Sequence, residues 1–578
     1  MNIEFKPYPF AGKQYAARIP ELIHGKDDRR HPVAIVGGGP VGLTTALGLA
    51  RQGIASVLIE ADDSVCHGSR AICISRRSLE IIERLGAVDG FLKTGLPWTG
   101  GRSFYRDTEV LHFTMPQDEN QKLPPMINLA QYHIEQCLLD AAEKHADLID
   151  IRWQTRVTAM TQNEHGVTLQ LSTPEGSYAL EADWLVASDG GRSLIRDAMR
   201  LQLQGTSYEG RYVIVDIALE SERPTERLAY FDPPCNPGST VLVHKQPGNV
   251  WRIDYQVRDD ENLEQAVLPE NVLPRVQSLL DMMGERGPWA PIWITMYKAN
   301  ALTLERYRHG RVMFAGDAAH LVPIFGVRGA NSGIDDADNV AWKLAYVIKG
   351  LADERLLDSY SSERVAAAHE NLSHGTKSTE FMAPPSPAFD LMRTAVLSLA
   401  AKHESVRSLI NPRQSSAITY VSSPLNAAQE ADVAWSAGSV AGAVLSECPL
   451  TVMSDGSATE GHLTSLLGRG FTALHFSDGG QLSDELKLFL AATQEKGIPL
   501  TLVTLTTARL TDRSKPYAWD HTGRLFGLYG AKVGSVYLVR PDGHVIGRWR
   551  APSATTLAAA IEGVLHPDTE TIEERKSS

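Results

Sequence analysis

Three glycines in the stretch HPVAIVGGGPVGLTTALGLARQGIASVLIE have a spacing that could bind a phosphate-containing ligand. Gly37 permits a tight turn, Gly39 lets the backbone approach a pyrophosphate, and Gly42 lets the following helix pack closely on the preceding strand. Glu60 ends the second apolar run, where a carboxylate can accept hydrogen bonds from ribose hydroxyls. A glycine-rich turn without a ligand can look the same, but strand, helix and carboxylate together favour a dinucleotide site. This unit alone does not distinguish FAD from NAD(P).

Two later motifs favour one of these cofactors. Asp189-Gly190 follows an apolar run in LVASDGGRSLIRDAM, and Gly316-Asp317 follows another in GRVMFAGDAAHLVPIFGVRGANSGIDDADNVAWKLA. Either pair alone is most often a turn. In this order, the three motifs resemble those of the flavoprotein aromatic hydroxylases, the single-component FAD monooxygenases that include p-hydroxybenzoate hydroxylase and phenol hydroxylase. The resemblance covers about residues 30–425 and favours FAD.

The resemblance implies roles for particular residues in holding the flavin. Asp317 is expected to hydrogen-bond the ribityl chain, and Asp189 to lie near FAD and the transient NAD(P)H. The backbone from Gly329 to Asn331 is expected to face the ring at a helix N-terminus, where free amides stabilise an anion. No metal ligand is predicted. The residues predicted to bind FAD non-covalently are Gly37, Gly39, Pro40, Val41, Gly42, Glu60, Arg70, Ala71, Gln131, Asp189, Gly190, Gly316, Asp317, Pro323, Gly329, Ala330 and Asn331.

One departure from the family pattern concerns a cation. Much of the family has Gly-Gln-Gly where this chain has Val327-Arg328-Gly329. Arg328 either places a fixed cation near the flavin or a substrate anion, or points to solvent. The nearby His320 either acts at the site or braces its loop.

The resemblance also implies the reaction. NAD(P)H would reduce the flavin, O2 would add to give a C4a-hydroperoxide, and the distal oxygen would be transferred to a small, phenolic aromatic ring. The cofactor carries this chemistry, and the protein supplies position and a dry pocket. The expected partners are therefore an aromatic substrate, O2 and NAD(P)H.

Substrate-binding residues are expected in the β-rich segment 206–304. A buried phenolate needs a nearby donor, which favours His244 and Tyr255 as the catalytic residues. Each candidate alone is as readily an ordinary strand residue. The wider set of candidates in this segment is Tyr230, His244, Arg252, Tyr255 and Tyr297.

The elements that must position these residues predict an α/β protein. A Rossmann-like FAD-binding domain is expected with a β-sheet substrate domain and a C-terminal thioredoxin-like domain. The C-terminal resemblance is to the phenol hydroxylase branch and depends on the strand and helix pattern and on YLVRPDGHVIGRW. The predicted divisions are a lead-in at 1–30, the first FAD-binding part at 31–205, the substrate sheet at 206–304, the second FAD-binding part with connecting helices at 305–427, and the thioredoxin-like domain at 428–578.

Composition limits the partners and the compartment. The net charge of −13 argues against nucleic acid and against an anionic membrane surface. The N-terminus has no apolar leader, and no apolar run is long enough to span a bilayer, so a cytoplasmic protein is expected. The five cysteines form no CxxC pair, and Cys448 is the one in the C-terminal part. That part is therefore expected to support packing or a homodimer rather than dithiol exchange.

Other functions explain less of the sequence. An NAD-dependent dehydrogenase leaves the Asp-Gly and Gly-Asp motifs without a role. A flavin halogenase usually carries Trp-x-Trp-x-Ile-Pro, and the nearest stretch here, PWAPIW, has the wrong spacing. A non-catalytic flavin-containing sensor and an FAD monooxygenase acting on a non-aromatic substrate remain as alternatives.

Overall fold

The computed structural model describes the chain in several stretches separated by short gaps. Across these stretches, no helix is both long enough and apolar enough to cross a membrane. The described residues are 4–258, 260–410, 414, 416–428, 430, 434–454, 457–510 and 516–567.

The first sheet carries the glycine-rich turn at the end of its strand Lys26–Val36. This strand pairs in parallel with Ser56–Ile59 on one side and with Gly176–Ala187 on the other. Parallel strands end at one edge, so the turn after Val36 and Asp189 lie together there. The remaining strands of this sheet are Leu22–Ile23, Ile149–Arg152, Arg156–Asn163, Gly166–Thr173, Arg308–His309 and Val312–Phe314.

Helices and a small sheet surround the first sheet. The helix Pro40–Arg51 starts with a proline that is preset for the first helical turn, and most of its residues are buried. The helix Gly329–Ile348 packs against it. The small sheet joins Cys73–Ser75, Met126–Asn128 and Leu96–Trp98. The other helices of this part are Arg76–Arg84, Val88–Thr94, Gln131–Ala142, Leu194–Ala198, Leu356–Met382, Pro387–Ala400 and Glu404–Arg407, with short 3-10 turns at Glu143–His145, Gly316–Ala318 and Ser408–Ile410.

The second sheet has one face against a helix and the other against a cavity. Its outer face packs on the amphipathic helix Pro269–Met283. The hairpin formed by residues 100–114 also joins this sheet, although the predicted divisions assign it to the first FAD-binding part. In spatial order, the strands are His320–Leu321, Trp289–Thr303, Gln204–Leu219, Val250–Val257, Thr240–Gln246, Arg227–Phe231, Gly100–Tyr105 and Thr108–Thr114.

The third sheet forms the C-terminal part. Two of its strands, Phe471–Ser477 and Leu500–Thr506, pair in parallel and are connected by the helix Asp484–Glu495. The antiparallel strands Val536–Val539 and Val545–Trp549 follow and lead to the helix Ala554–Leu565. This order is compatible with a thioredoxin-like domain, which stays a prediction, as do the domain boundaries. Cys448 is fully buried in this part. In spatial order, the strands are Ser457–His462, Pro449–Ser454, Tyr517–Trp519, Leu500–Thr506, Phe471–Ser477, Val536–Val539 and Val545–Trp549, and the shorter helices are Leu463–Leu466 and Leu525–Leu528.

Buried charges join the C-terminal part to the helices next to the first sheet. Arg540 donates to Glu363 at 2.5 and 3.1 Å and also contacts Asp542. Lys343 donates to the same Glu363 at 2.7 Å, and Trp342 donates to Asp542 at 3.0 Å. Because Lys343 and Trp342 belong to the helix that begins at Gly329, the C-terminal part holds that helix in place.

Candidate functional site

A cavity of about 770 Å³ lies between the first and second sheets. Its wall includes the glycine-rich turn, the start of the helix at Gly329 and the inner face of the second sheet. The structure therefore brings together most of the residues predicted to bind a cofactor, although they are far apart in the chain. The predicted residues on this wall are Gly37, Gly39, Pro40, Val41, Glu60, Arg70, Ala71, Gln131, Asp189, Gly190, Asp317, Gly329, Ala330 and Asn331.

The glycine-rich turn leaves space for a ligand at one of its three glycines. Gly37 has a φ of 103°, which disfavours any residue with a side chain. A Cβ at Gly42 would lie 1.9 Å from the carbonyl oxygen of Gly37, so Gly42 serves close packing and is not on the cavity wall. A Cβ at Gly39 would instead fill the cradle, where its nearest neighbour would be Glu135 at 3.8 Å. The Gly38 N–H donates to the Glu60 carboxylate at 2.5 Å, which fixes the turn.

A carboxyl group that the sequence reasoning missed lies beside this turn. Glu135 is buried on the cavity wall, where it accepts hydrogen bonds from the Cys66 N–H at 2.5 Å and from Gln131 at 2.8 Å. Gln131 in turn accepts from the Ala71 N–H at 3.1 Å. Burial raises the pKa of Glu135 to about 7. Glu135 lies one helical turn after Gln131, and this spacing could have indicated from the sequence that both side chains share one face of the helix.

Two aspartates occupy different parts of the wall. Asp189 accepts from the Ile195 N–H at 3.1 Å through one oxygen, and within the described chain its buried second oxygen has no hydrogen-bond partner. Asp317 presents its side chain to the cavity. Desolvation by the surrounding protein raises the pKa of both carboxyls, although the Asp317 side chain is open to the cavity. Both have oxygen atoms available to accept hydrogen bonds from a ligand.

The helix Gly329–Ile348 points its N-terminus at the cavity. The Asn331 side chain donates to the carbonyl oxygens of Cys73 and Val327 and accepts from Ser75, so it is used within the protein. The backbone amides of the first turn are therefore the groups that can meet a ligand, and they favour an anion. Arg328 is buried at 3% exposure on the cavity wall rather than directed to solvent.

Three other residues singled out in the Gly-Asp region do not reach the wall. Gly316 donates its N–H to Asp336 at 2.9 Å, and Pro323 packs near Gly375. His320 bonds Asp336 at 2.6 Å. Burial alone would raise the pKa of Asp336, but Arg364 and His320 lower it to about 2. His320 therefore braces the loop through an ionised buried carboxylate.

The second sheet presents some of the substrate candidates to the cavity and turns others away. His244, Arg252 and Tyr297 lie on the cavity wall. Tyr230 and Tyr255 belong to the apolar cluster on the opposite face, against the helix Pro269–Met283. The structure therefore does not bring the predicted catalytic Tyr255 to the cavity.

A buried cation lies beside His244. Arg227 lines the cavity at 2% exposure, and within the described residues its side chain makes neither a hydrogen bond nor an ion pair. Arg252, by contrast, pairs with Asp254 at 2.9 Å. Burial lowers the pKa of Arg227 to about 10, so it stays charged at pH 7. Burial, Arg227 and Arg252 hold the pKa of His244 well below its ordinary value, and its imidazole is neutral.

Comparison with known families identifies the ligand of this cavity. A family model described as "FAD binding domain" matches residues 30–374. The chain belongs to this FAD-binding family. The observed site fits FAD, because it has an open cradle at Gly39, carboxylates at its edge and helix amides facing the cavity.

Individual relatives of this FAD-binding protein are hydroxylases. A 3-(3-hydroxy-phenyl)propionate/3-hydroxycinnamic acid hydroxylase of Mycolicibacterium smegmatis is 27% identical over 92% of this chain and 93% of its own length. The enzyme of that name from Klebsiella pneumoniae is 32% identical over 61% of this chain and 62% of its own. A crystal structure of the flavin-dependent monooxygenase PieE with FAD and substrate has a TM-score of 0.78 at 22% identity, covering 93% of this chain and 99% of that one, and shows the shared fold. The chain is an FAD-dependent monooxygenase.

Loss of the two cavity aspartates is expected to affect FAD binding unequally. Asp317→Ala should weaken FAD binding by about 1.5–3 kcal/mol, because it removes the carboxylate that is predicted to hydrogen-bond the ribityl hydroxyls. Asp189→Ala should affect FAD binding less and the rate of flavin reduction more. Fluorescence titration of the apoprotein with FAD measures the first effect, and stopped-flow reduction measures the second. Equal FAD affinities in the two variants would contradict these roles.

Binding of FAD is expected to depend on pH through Glu135. A pyrophosphate beside Gly39 disfavours a second negative charge, so FAD should bind best when Glu135 is protonated. Since the pKa of this carboxyl is about 7, affinity should fall by about fivefold as pH rises from 6 to 8. Glu135→Gln should flatten the profile, whereas Glu143→Gln, in the 3-10 turn that follows the same helix, should not. If the FAD affinity of Glu135→Gln depends on pH as that of the wild type does, Glu135 is not the origin of the dependence.

Proposed function

We propose that this monooxygenase hydroxylates a small phenolic compound that also carries a carboxylate, with NAD(P)H and O2 as co-substrates. The observation that carries the proposal is the buried Arg227 on the wall of the FAD cavity, which makes no ion pair within the described residues. A buried guanidinium without a carboxylate costs free energy that an incoming anion can offset. A substrate carboxylate fits this site in charge, and a guanidinium can bind a carboxylate with two parallel hydrogen bonds.

His244 is proposed to contact the phenol hydroxyl. Its neutral imidazole has a buried Nδ1 that has no hydrogen-bond partner within the described residues. Such a nitrogen can accept the phenol O–H and so place the ring and increase its electron density. The bound FAD supplies the redox chemistry and the activation of O2. Arg227 and His244 are near each other, since their strands Arg227–Phe231 and Thr240–Gln246 are neighbours in the second sheet.

Apolar residues keep the rest of the cavity dry. Exclusion of water protects a reactive oxygen donor and strengthens every polar contact inside. A flat aromatic ring can lie among these side chains. They are Ile72, Ile214, Leu242, Trp293, Met296, Val322 and Ile324.

The names of the relatives support the same substrate class. 3-(3-Hydroxyphenyl)propionate carries both a phenol and a carboxylate, and the curated relatives are named for it. The p-nitrophenol 4-monooxygenase of Pseudomonas putida is a further structural relative, at 26% identity over 67% of this chain and a TM-score of 0.57. Its named substrate is a phenol without a carboxylate. The carboxylate preference proposed here therefore depends on Arg227 itself.

A set of three related compounds tests the proposal. Oxidation of NADH and of NADPH by the purified holoenzyme is measured with 3-(3-hydroxyphenyl)propionate, with 3-ethylphenol and with 3-phenylpropionate, and products are identified by mass spectrometry. Coupled formation of a hydroxylated product is expected only with the phenolic acid at low concentration. If 3-ethylphenol is hydroxylated as efficiently as the phenolic acid, the proposed requirement for a substrate carboxylate is wrong. Flavin binding without product from any phenolic acid would favour a sensor.

Assembly and location are proposed on separate grounds. We propose a homodimer in which a second copy covers the helix Pro387–Ala400, where Leu391, Met392 and Leu399 are exposed. Sedimentation of the wild type and of Leu391→Glu tests this proposal, because only the wild type should dimerise. A cytoplasmic location is proposed because NAD(P)H is supplied there and the five cysteines are free thiols. Fractionation of the producing cells measures the location.

A further inference from the structure

The segment before the family match packs across both halves of the FAD cavity. The match begins at residue 30, yet particular residues of the preceding segment contact the main body. The Lys6 N–H donates to the Pro291 carbonyl at 2.8 Å, at the second sheet. The Tyr15 N–H donates to the Asp63 carbonyl at 2.7 Å, and its ring stacks on Trp153 beside the first sheet. This segment therefore spans the two sheets that enclose the cofactor.

One side chain of this segment reaches a buried carboxylate. The Tyr8 hydroxyl donates to Oδ2 of Asp216 at 2.5 Å, and the same oxygen accepts from the Ser69 hydroxyl at 2.5 Å. Asp216 is fully buried on the strand Gln204–Leu219. Its carboxylate therefore joins the N-terminal segment and Ser69 to the second sheet.

Ser69 belongs to a loop that contributes to the cofactor wall. Arg70 and Ala71 follow it directly, and both line the cavity. Arg252 supports the same loop by donating to the carbonyl oxygens of Ser69 and Arg70, the latter at 2.8 Å. The loop is thus held at its backbone by Arg252 and at its side chain by Asp216.

We propose that Tyr8 is a positioning residue for FAD, acting through Asp216 and Ser69 on Arg70 and Ala71. The Asp216 carboxylate is held through Oδ2, since its other oxygen, Oδ1, makes no hydrogen bond within the described chain. Among the described residues, loss of the Tyr8 hydroxyl leaves Ser69 as the one hydroxyl donor on this carboxylate. Without the Tyr8 hydroxyl, one donor fewer fixes the orientation of the Asp216 carboxylate. The Ser69 side chain then moves with that carboxylate, and the loop samples positions in which Arg70 and Ala71 do not meet the cofactor.

Removal of a single hydroxyl tests this role. Tyr8→Phe keeps the ring in its aromatic surroundings and removes the donor to Asp216. The matched control is Tyr15→Phe, which removes a hydroxyl from the same segment where it contacts the partly exposed Glu143. Tyr8→Phe should bind FAD about tenfold more weakly in fluorescence titration, and Tyr15→Phe should bind it as the wild type does. Equal affinities of Tyr8→Phe and the wild type would overturn the proposal.

Two further measurements separate positioning from general destabilisation. In hydrogen exchange of the apoprotein, amides of residues 66–71 should exchange faster in Tyr8→Phe, while those of the helix Ala554–Leu565 should not change. In a double-mutant cycle with Ser69→Ala, the effects on FAD affinity should be less than additive, because both hydroxyls act through Asp216. Additive losses, or faster exchange spread over the whole chain, would show that Tyr8 does not position this loop. These readouts do not depend on the substrate proposed above.

Discussion

Replacement of Arg227 by Met is expected to lower kcat/KM for 3-(3-hydroxyphenyl)propionate by about 100-fold. The buried pairing of a guanidinium with a carboxylate is lost, and truncation of one partner of such a pair costs about 2–5 kcal/mol. Most of the loss should appear in KM, because the contact is remote from the ring carbon that reacts and binds ground state and transition state alike. Steady-state kinetics of product formation measures the effect.

Two comparisons make this expectation specific to the carboxylate. The variant should turn over 3-ethylphenol no worse than the wild type does, since this compound offers no anion to Arg227. Its free energy of unfolding should be unchanged or higher, because a buried cation that makes no ion pair within the described chain has been removed. Arg102→Met on a neighbouring strand, where Arg102 pairs with Glu226, should leave kinetics unchanged. An equal loss for the acid and the neutral phenol would exclude the anion site.

Replacement of Arg540 by Met is expected to lower the free energy of unfolding by about 3–5 kcal/mol. Glu363 and Asp542 are both fully buried and would lose the cation that they share. Burial alone would raise the pKa of Glu363, but Arg540 and Lys343 hold it below its ordinary range. This contribution to stability is therefore present above the ordinary glutamate pKa and is lost as pH falls. Urea unfolding at pH 8, followed by tryptophan fluorescence, measures the change.

The same variant should also bind FAD more weakly. Arg540 acts on Glu363 and Asp542, which bond Lys343 and Trp342 on the helix that begins at Gly329. A loosened helix no longer presents its first amides in a fixed position to the flavin. Arg548→Met is the control, because Arg548 bonds carbonyl oxygens within the C-terminal part itself. A wild-type unfolding midpoint in Arg540→Met would show that this cluster does not join the two parts.

The faces of the strands explain why one predicted catalytic residue, His244, lies on the cavity wall and the other, Tyr255, does not. Arg252 and Tyr255 are three residues apart on one strand, so they must point to opposite faces of the sheet. His244 lies opposite Arg252 across the strand pair, and Tyr255 lies opposite Val241. Alternation within a strand can be predicted from the sequence. The register between strands, which placed His244 and not Tyr255 inside, follows from the packing of the whole sheet.

The sequence by itself determined the cofactor class, and most of the residues it predicts to bind the cofactor line one cavity. Gly37, Gly39, Glu60 and Asp317 each lie within a few residues of a strand end, and parallel strands bring their ends to one edge whatever the rest of the chain does. The choice of FAD and the expected role of Asp317 come from the resemblance of the three motifs to a flavoprotein family, whereas the placement of these residues follows from local spacing. Local spacing also allowed the α/β fold and the order of the sheets to be predicted, because the switch between helical and strand periodicity is a local property.

Only the tertiary structure identified the residues whose proposed roles depend on burial or on a partner far away in the sequence. In the sequence nothing distinguishes Arg227 from other arginines; the fold buries it where it makes no ion pair with any described residue. Glu135 is likewise an ordinary helix residue in the sequence, and the fold places its carboxyl beside the glycine-rich turn. Tyr8 stands 208 positions before Asp216, the carboxylate that gives it a function. Desolvation and long-range hydrogen bonds arise only when the chain is folded, and no sequence pattern encodes them locally.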